Sequence, residues 1–237
     1  MRKGIYTAAF ITALMLGSPA AHATVLYYGG DLDTSDPNAS GLANESDANI
    51  DNARTYDNFT VSGASWHVTG LFTNNQTDLT IGSANWEIRS GVSQGNGGTL
   101  LFSGNDGTPT ITATGRSAFG YNEFNVAVDV SLTLAPGTYW LSVQPVSGDN
   151  GRSFESNTFG LNAVGTHTAN DDFFDSNFFG ANFDNANNYG VFPTFSSGVI
   201  GDSTANVPEP SSLALLGAAL FGIFAWGSSM RRRTLGS

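Results

Sequence analysis

The chain has 237 residues, no cysteine, 9 basic against 20 acidic side chains, and apolar residues at 40% of its positions. That apolar share is enough to bury a core, so a charged disordered chain is excluded, and disulfides cannot be what holds it together. Between residues 24 and 206, Arg54, Arg89, Arg116 and Arg152 face nineteen carboxylates without a single lysine, a surface that repels nucleic acid and anionic lipid and attracts cations.

Residues 1–23 read as a secretory signal peptide. Arg2 and Lys3 supply the positive start, Ile5 to Leu16 the apolar run, and Ala21-His22-Ala23 the small residues that signal peptidase requires. Residues 24–200 read as one β-domain. Val25 to Tyr28 is a short first strand, and 29–52 is an Asp-, Asn-, Ser- and Gly-rich loop. From Tyr56 onward apolar residues recur at every second position: Phe59 and Val61, Trp66 and Val68, Trp86 and Ile88.

The longest run alternates through Phe124, Val126, Val128, Val130, Leu132 and Leu134, turns at Pro136-Gly137, and resumes at Tyr139, Leu141 and Val143. It predicts a long hairpin with one wet face. With turn residues between the runs and no helical periodicity, the fold expected is an all-β antiparallel sandwich, jelly-roll-like. Residues 170–198 differ: Phe173, Phe174, Phe178, Phe179, Phe183, Tyr189, Phe192 and Phe195 stand among Asp, Asn and Gly. Exposed, such rings could stack on sugars; buried, they would plug one end of the sandwich. Phenylalanine lacks a polar handle, which favours burial. Residues 201–206 read as a linker.

Few residues suggest chemistry. Gly91-Val92-Ser93-Gln94-Gly95 has the pattern of a nucleophile elbow, but an elbow needs a helix after the serine, and Asn96-Gly97-Gly98 follows. No catalytic residue is assigned, and no enzyme activity is expected. His67, between Trp66 and Val68, should face water. Asp47, Asn49 and Asp51 place oxygen ligands at alternate positions, as the first half of a calcium loop does. The loop lacks the glycine and glutamate that would complete an EF-hand, and a plain solvated loop is the competing reading. Calcium is therefore the one cofactor to test. Asp31, Asp33 and Asp36 form a second, weaker set.

The tail carries the most specific signal. Val207-Pro208-Glu209-Pro210 precedes an apolar stretch at about 213–230 and then Arg231-Arg232-Arg233. The stretch is about the minimum for a membrane helix, and the arginines would keep the C-terminus cytoplasmic. Residues 207–233 resemble the PEP-CTERM sorting signal of Gram-negative exopolysaccharide producers. The resemblance implies that Pro208, Glu209 and Pro210 are recognised by exosortase, a membrane-embedded transpeptidase-like enzyme, and that the tail is cut off. More loosely, Tyr56 to Val61, Trp66 to Gly70 and Leu134 to Leu141 resemble the β-sandwich domains common in such proteins. The expected role is a non-enzymatic protein of the cell surface or exopolysaccharide matrix, membrane-anchored only until processing. A carbohydrate-binding module is the alternative, and a serine hydrolase using Ser93 the third.

Overall fold

The computed structural model describes residues 23–203. The predicted signal peptide up to residue 22, the end of the predicted linker and the whole sorting tail lie outside those residues. Alternating apolar residues and β-branched neighbours make strands of nearly every run named above. In chain order they are β1 (Thr24–Tyr28), β2 (Gly41–Ala43), β3 (Arg54–Val61), β4 (Trp66–Thr77), β5 (Ser83–Ser90), β6 (Thr99–Asp106) and β7 (Thr110–Ala118). Then come β8 (Tyr121–Leu134), β9 (Gly137–Val146), β10 (Ser153–Thr158), β11 (Phe173–Ser176), β12 (Ala181–Asn185), β13 (Thr194–Phe195) and β14 (Ser197–Ser203). A single 3-10 turn at Ala186–Asn188 is the one helical element among the described residues. The protein is all-β, as expected.

The strands form two antiparallel sheets. One has the order β12-β11-β3-β9-β5-β6. In the other, β4 is central: β8 lies along one edge with β7 beyond it, while β14 and then β10 share the opposite edge. β1 pairs with β14, and β2 and β13 pair with β10. The inner faces of the two sheets meet in one apolar cluster. Phe59, Val61, Ile88, Leu141 and Val143 come from the first sheet, and Trp66, Val68, Leu71, Val126, Val128 and Val199 from the second. A second cluster gathers Leu42, Ile50, Phe174, Phe192 and Phe195 around β2. A third, with Tyr56, Val92, Trp140 and Phe173, covers the outer face of the first sheet.

The structure departs from sequence expectation in three places. The run from Phe124 to Val143 is not a hairpin. β8 pairs with β4 and β7, whereas β9 pairs with β3 and β5, so the chain crosses between sheets at Ala135-Pro136. Alternation fixes which face a strand buries but not which neighbour it pairs with. Gly201 to Ser203 are not linker: they continue β14 against Trp66 to Val68. The 29–52 segment is not simply solvated either, since Leu32, Leu42, Asn44, Glu45 and Ile50 are all buried. His67 does face water, between buried Trp66 and Val68.

Candidate functional site

β2 lies beside β10 with little side chain of its own. A Cβ on Gly41 would come within 2.8 Å of Phe154 Cβ and 2.9 Å of the Glu155 carbonyl oxygen, so only glycine fits. The close approach leaves a groove above β2 in three adjoining hollows. One, of about 260 Å³, is walled by Arg152, Phe154, Phe174, Phe179 and Tyr189. The next, of about 270 Å³, runs from Phe154 to Tyr121 and Phe119. The third, of about 330 Å³, passes from Phe119 over Asn38 and Ser40 to Tyr189 and Val191.

The rings are held in set orientations. Tyr121 meets Phe154 edge-on at 5.6 Å between centroids, Tyr189 meets Phe174 at 5.1 Å, and Phe178 meets Phe179 at 4.9 Å. The Arg152 guanidinium lies 4.7 Å over the Phe154 ring while its Nε donates to Glu45 Oε1 at 2.9 Å. The Tyr189 hydroxyl donates to Asp184 at 2.9 Å. Phe119 stands at the tip of the β7–β8 turn, 69% exposed, with a φ of 53°. A bulky residue in the left-handed region costs roughly 1–2 kcal/mol. The tight two-residue link demands it: Phe119 and Gly120, between paired Ala118 and Tyr121, both take a positive φ, and the turn lifts the ring into water.

The aromatic segment thus divides. Phe173, Phe174, Phe192 and Phe195 are buried, in line with the core reading, whereas Phe178, Phe179 and Tyr189 are 57%, 44% and 41% exposed, against it. The doublet Phe173-Phe174 alternates across β11, one ring to each face, and both faces are covered. Phe178 and Phe179 sit in the β11–β12 turn, where no second layer lies above them. Sequence reasoning missed Phe119 entirely. The available signal was Phe-Gly between two strand-like runs.

A second concentration of polar groups is internal. Asp57, Glu155 and Asp172 are at most 1% exposed, and among the described residues none is paired with an arginine. Asp57 on β3 accepts hydrogen bonds from Tyr27 at 2.9 Å, from Thr194 at 2.8 Å, and from Ser197, all three on the opposite sheet. Glu155 on β10 accepts one from Thr55 across the same gap. Asp172 accepts the Asn58 backbone N–H at 2.9 Å and its amide at 2.8 Å. Burial lifts all three carboxyls above the ordinary range, and the neighbouring Asp57 charge pushes Glu155 and Asp172 further up. Asp57 and Glu155 join one sheet to the other through these bonds, whereas Asp172 ties the segment before β11 to β3 within one sheet. The arginines are engaged elsewhere: Arg54 and Arg89 on Glu87, Arg116 on Glu123 and Asp31, Arg152 on Glu45.

The residues singled out by spacing are scattered. Asp47 Oδ1 accepts the backbone N–H groups of Asn49 and Ile50 at 2.6 and 2.7 Å, closing a turn, and Asn49 and Asp51 are exposed. Asp31, Asp33 and Asp36 are engaged separately, by Arg116, Ser35 and Asn38. Among the described residues no group of three His, Cys, Asp or Glu side chains is placed to hold a metal ion. Ser93 exchanges backbone hydrogen bonds with Asn96 in the tight link between β5 and β6, and a strand rather than a helix comes after it.

The described residues define an all-β body of two antiparallel sheets with an aromatic groove at one end. The C-terminal segment beyond this body identifies how the protein is sorted: residues 206–233 match the family model of the PEP-CTERM protein-sorting motif. That motif implies export, sorting to the cell surface and processing by exosortase. No curated protein and no solved structure matches the chain.

Proposed function

We propose that this is a non-enzymatic protein of the cell surface or matrix that holds exopolysaccharide in the groove above β2. The observation that carries the reading is the row of exposed rings, Phe119, Phe179 and Tyr189, lining one groove. Sugar rings present flat C–H faces to aromatic planes and hydroxyls to the polar groups between them. Arg152, Asn38 and Ser40 supply donors along the groove. A body with fifteen more acids than bases disfavours a polyuronate and favours a neutral chain. Ser93 in a strand-to-strand link, with no helix to present it, supports the non-enzymatic reading. The signal peptide and the transient membrane helix at 213–230 complete the proposal, with signal peptidase and exosortase as the processing partners.

Affinity electrophoresis tests it. Native gels cast with the host's own exopolysaccharide should retard the protein. Phe119→Ala and Tyr189→Ala should abolish the retardation while melting within a few degrees of the parent. Unretarded parent protein, or variants retarded like the parent, would defeat the groove reading.

A further inference from the structure

The sandwich is open along one side. Among the described residues β6 closes the first sheet and pairs only with β5, and β7 closes the second and pairs only with β8. Three residues, Gly107-Thr108-Pro109, join them, so both free edges belong to the same side of the molecule. Phe102 lies opposite Ile88 and Ile111 opposite Val126. Directly opposed residues share a face, and Ile88 and Val126 are wholly buried in the main core. Phe102 and Ile111 therefore point into the space between the sheets, yet they are 37% and 41% exposed, and Leu100 and Leu101 beside them 45% and 40%.

Proteins protect such edges with lysine, proline, inward charges or a covering segment, because unpaired N–H and C=O groups template another strand. Along β6 the protection is confined to the last residue: the body lacks lysine, β6 contains no proline, and its single charge, Asp106, stands at the strand end opposite the core residue Ala84, leaving Thr99 to Asn105 without any of the three. β7 is blunted. Its pairing with β8 breaks between Ala113 and Ser117, where Gly115 takes a φ of 81°. In β6 the irregularity falls at Leu101, leaving Phe102 to Asp106 regular.

We propose that β6 pairs antiparallel with β6 of a second copy of this chain, closing the open side of both. Charge selects that occupant. Two copies of so acidic a body repel over most of their surface, but from residue 90 to residue 115 the only charge is Asp106. A two-fold axis at Gly104 sets Asp106 opposite Phe102 of the partner strand, so the one charge meets no like charge. Both copies then offer the same row of backbone groups and the same apolar side chains, which is what an isologous contact requires.

Sedimentation equilibrium on the exported protein, over micromolar to near-millimolar concentration, is the test. The expected result is a monomer–dimer equilibrium that tightens as sodium chloride screens the carboxylates. Amide exchange along 99–106 should slow as concentration rises. Leu101→Lys, at an exposed position, should weaken the dimer at least tenfold without changing the melting temperature by more than a few degrees. A monomer throughout, open-ended polymers, a dimer that loosens with salt, or a dimer with unprotected β6 amides would each overturn the proposal.

Discussion

Phe174 and Phe179 are five residues apart, and the structure assigns them opposite jobs, so truncating each to alanine separates core from groove. Phe174 is 2% exposed and fills the space between Leu42, Ala43, Ala181, Ala186, Phe192 and Phe195. Its ring also contacts Tyr189 at 5.1 Å and Phe179 at 5.9 Å. Removing a buried phenylalanine costs about 3–5 kcal/mol, transfer and cavity together. Here the void would open toward the groove, whose walls include the half-exposed Tyr189 and Phe179, so water can enter and the cost falls near the lower end, about 3 kcal/mol. For a domain of this size each kcal/mol lowers the melting temperature by about 2–4 °C, giving a drop of roughly 6–12 °C. Phe179 is 44% exposed; its loss removes about half a ring's burial and leaves no closed cavity, so about 1 kcal/mol is at stake. Thermal melts followed by circular dichroism, run beside affinity electrophoresis, read both quantities. Phe174→Ala should melt early, and Phe179→Ala should melt near the parent but run unretarded. Equal melting of the two variants would refute the division of the segment into core and groove.

Four further outcomes are expected. Because burial raises Asp57, Glu155 and Asp172, the folded state holds more protons than the unfolded chain above the ordinary carboxylate values of 3.8 and 4.5. Stability should then fall as pH rises from about 5 toward 8. Glu155→Gln should flatten the melting profile, and a parent profile that rises over that range would contradict the assignment. If Asp47, Asn49 and Asp51 hold calcium, millimolar calcium should raise the melting temperature where magnesium and added sodium chloride do not; equal melting in calcium and chelator removes the site. Intact mass of the exported protein should lack residues 1–23 and everything from residue 213 onward, whereas retention of 213–233 would make the tail a plain anchor. A fluorophosphonate probe should leave the protein unlabelled, and labelling abolished by Ser93→Ala would restore the hydrolase reading.

How far the sequence could be read depends on the range of each signal. Strand identity rests on the period of two, a local property, so β3, β4, β5, β8 and β9 were all visible. Pairing depends on residues far apart. The β8-to-β9 crossing looks like a hairpin in sequence because both strands bury one face and the turn is short. The groove was half visible: the density of rings in 170–198 marked an unusual segment, but not which rings would find cover. That was decided by β10 and β2 arriving beside them from elsewhere in the chain. Phe-Gly marked Phe119 as a turn residue and no more, and Arg152 gave no local sign, since their roles depend on the same assembly. The carboxylate excess read correctly as an acidic surface but concealed its exceptions, because burial of Asp57, Glu155 and Asp172 has no signature in composition.

Those buried acids bear on the groove itself. A buried carboxyl between two sheets contributes little net stability compared with an apolar side chain of the same volume when its partners are replaced with it. What it adds is a directional requirement. Asp57 is satisfied only if Thr194 and Ser197 arrive together, on either side of Phe195. That fixes where β13 ends and β14 begins, and with it the base of the segment carrying Phe178, Phe179 and Tyr189. Glu155 Oε2 accepts from Thr55 and, at 3.4 Å, from the Asn44 amide, and alternation along β10 then turns the adjacent Phe154 toward the groove. The seam of acids thus sets the position of groove walls that apolar packing alone would leave free to slide. In Asp57→Leu the fold should survive at assay temperature but melt several degrees below the parent, because the Tyr27, Thr194 and Ser197 hydroxyls lose their buried acceptor. Retardation on exopolysaccharide should nonetheless fall, since the rings would no longer be held in register. Full retardation in a well-folded Asp57→Leu protein would show that the groove is positioned by its own aromatic contacts and owes nothing to the seam.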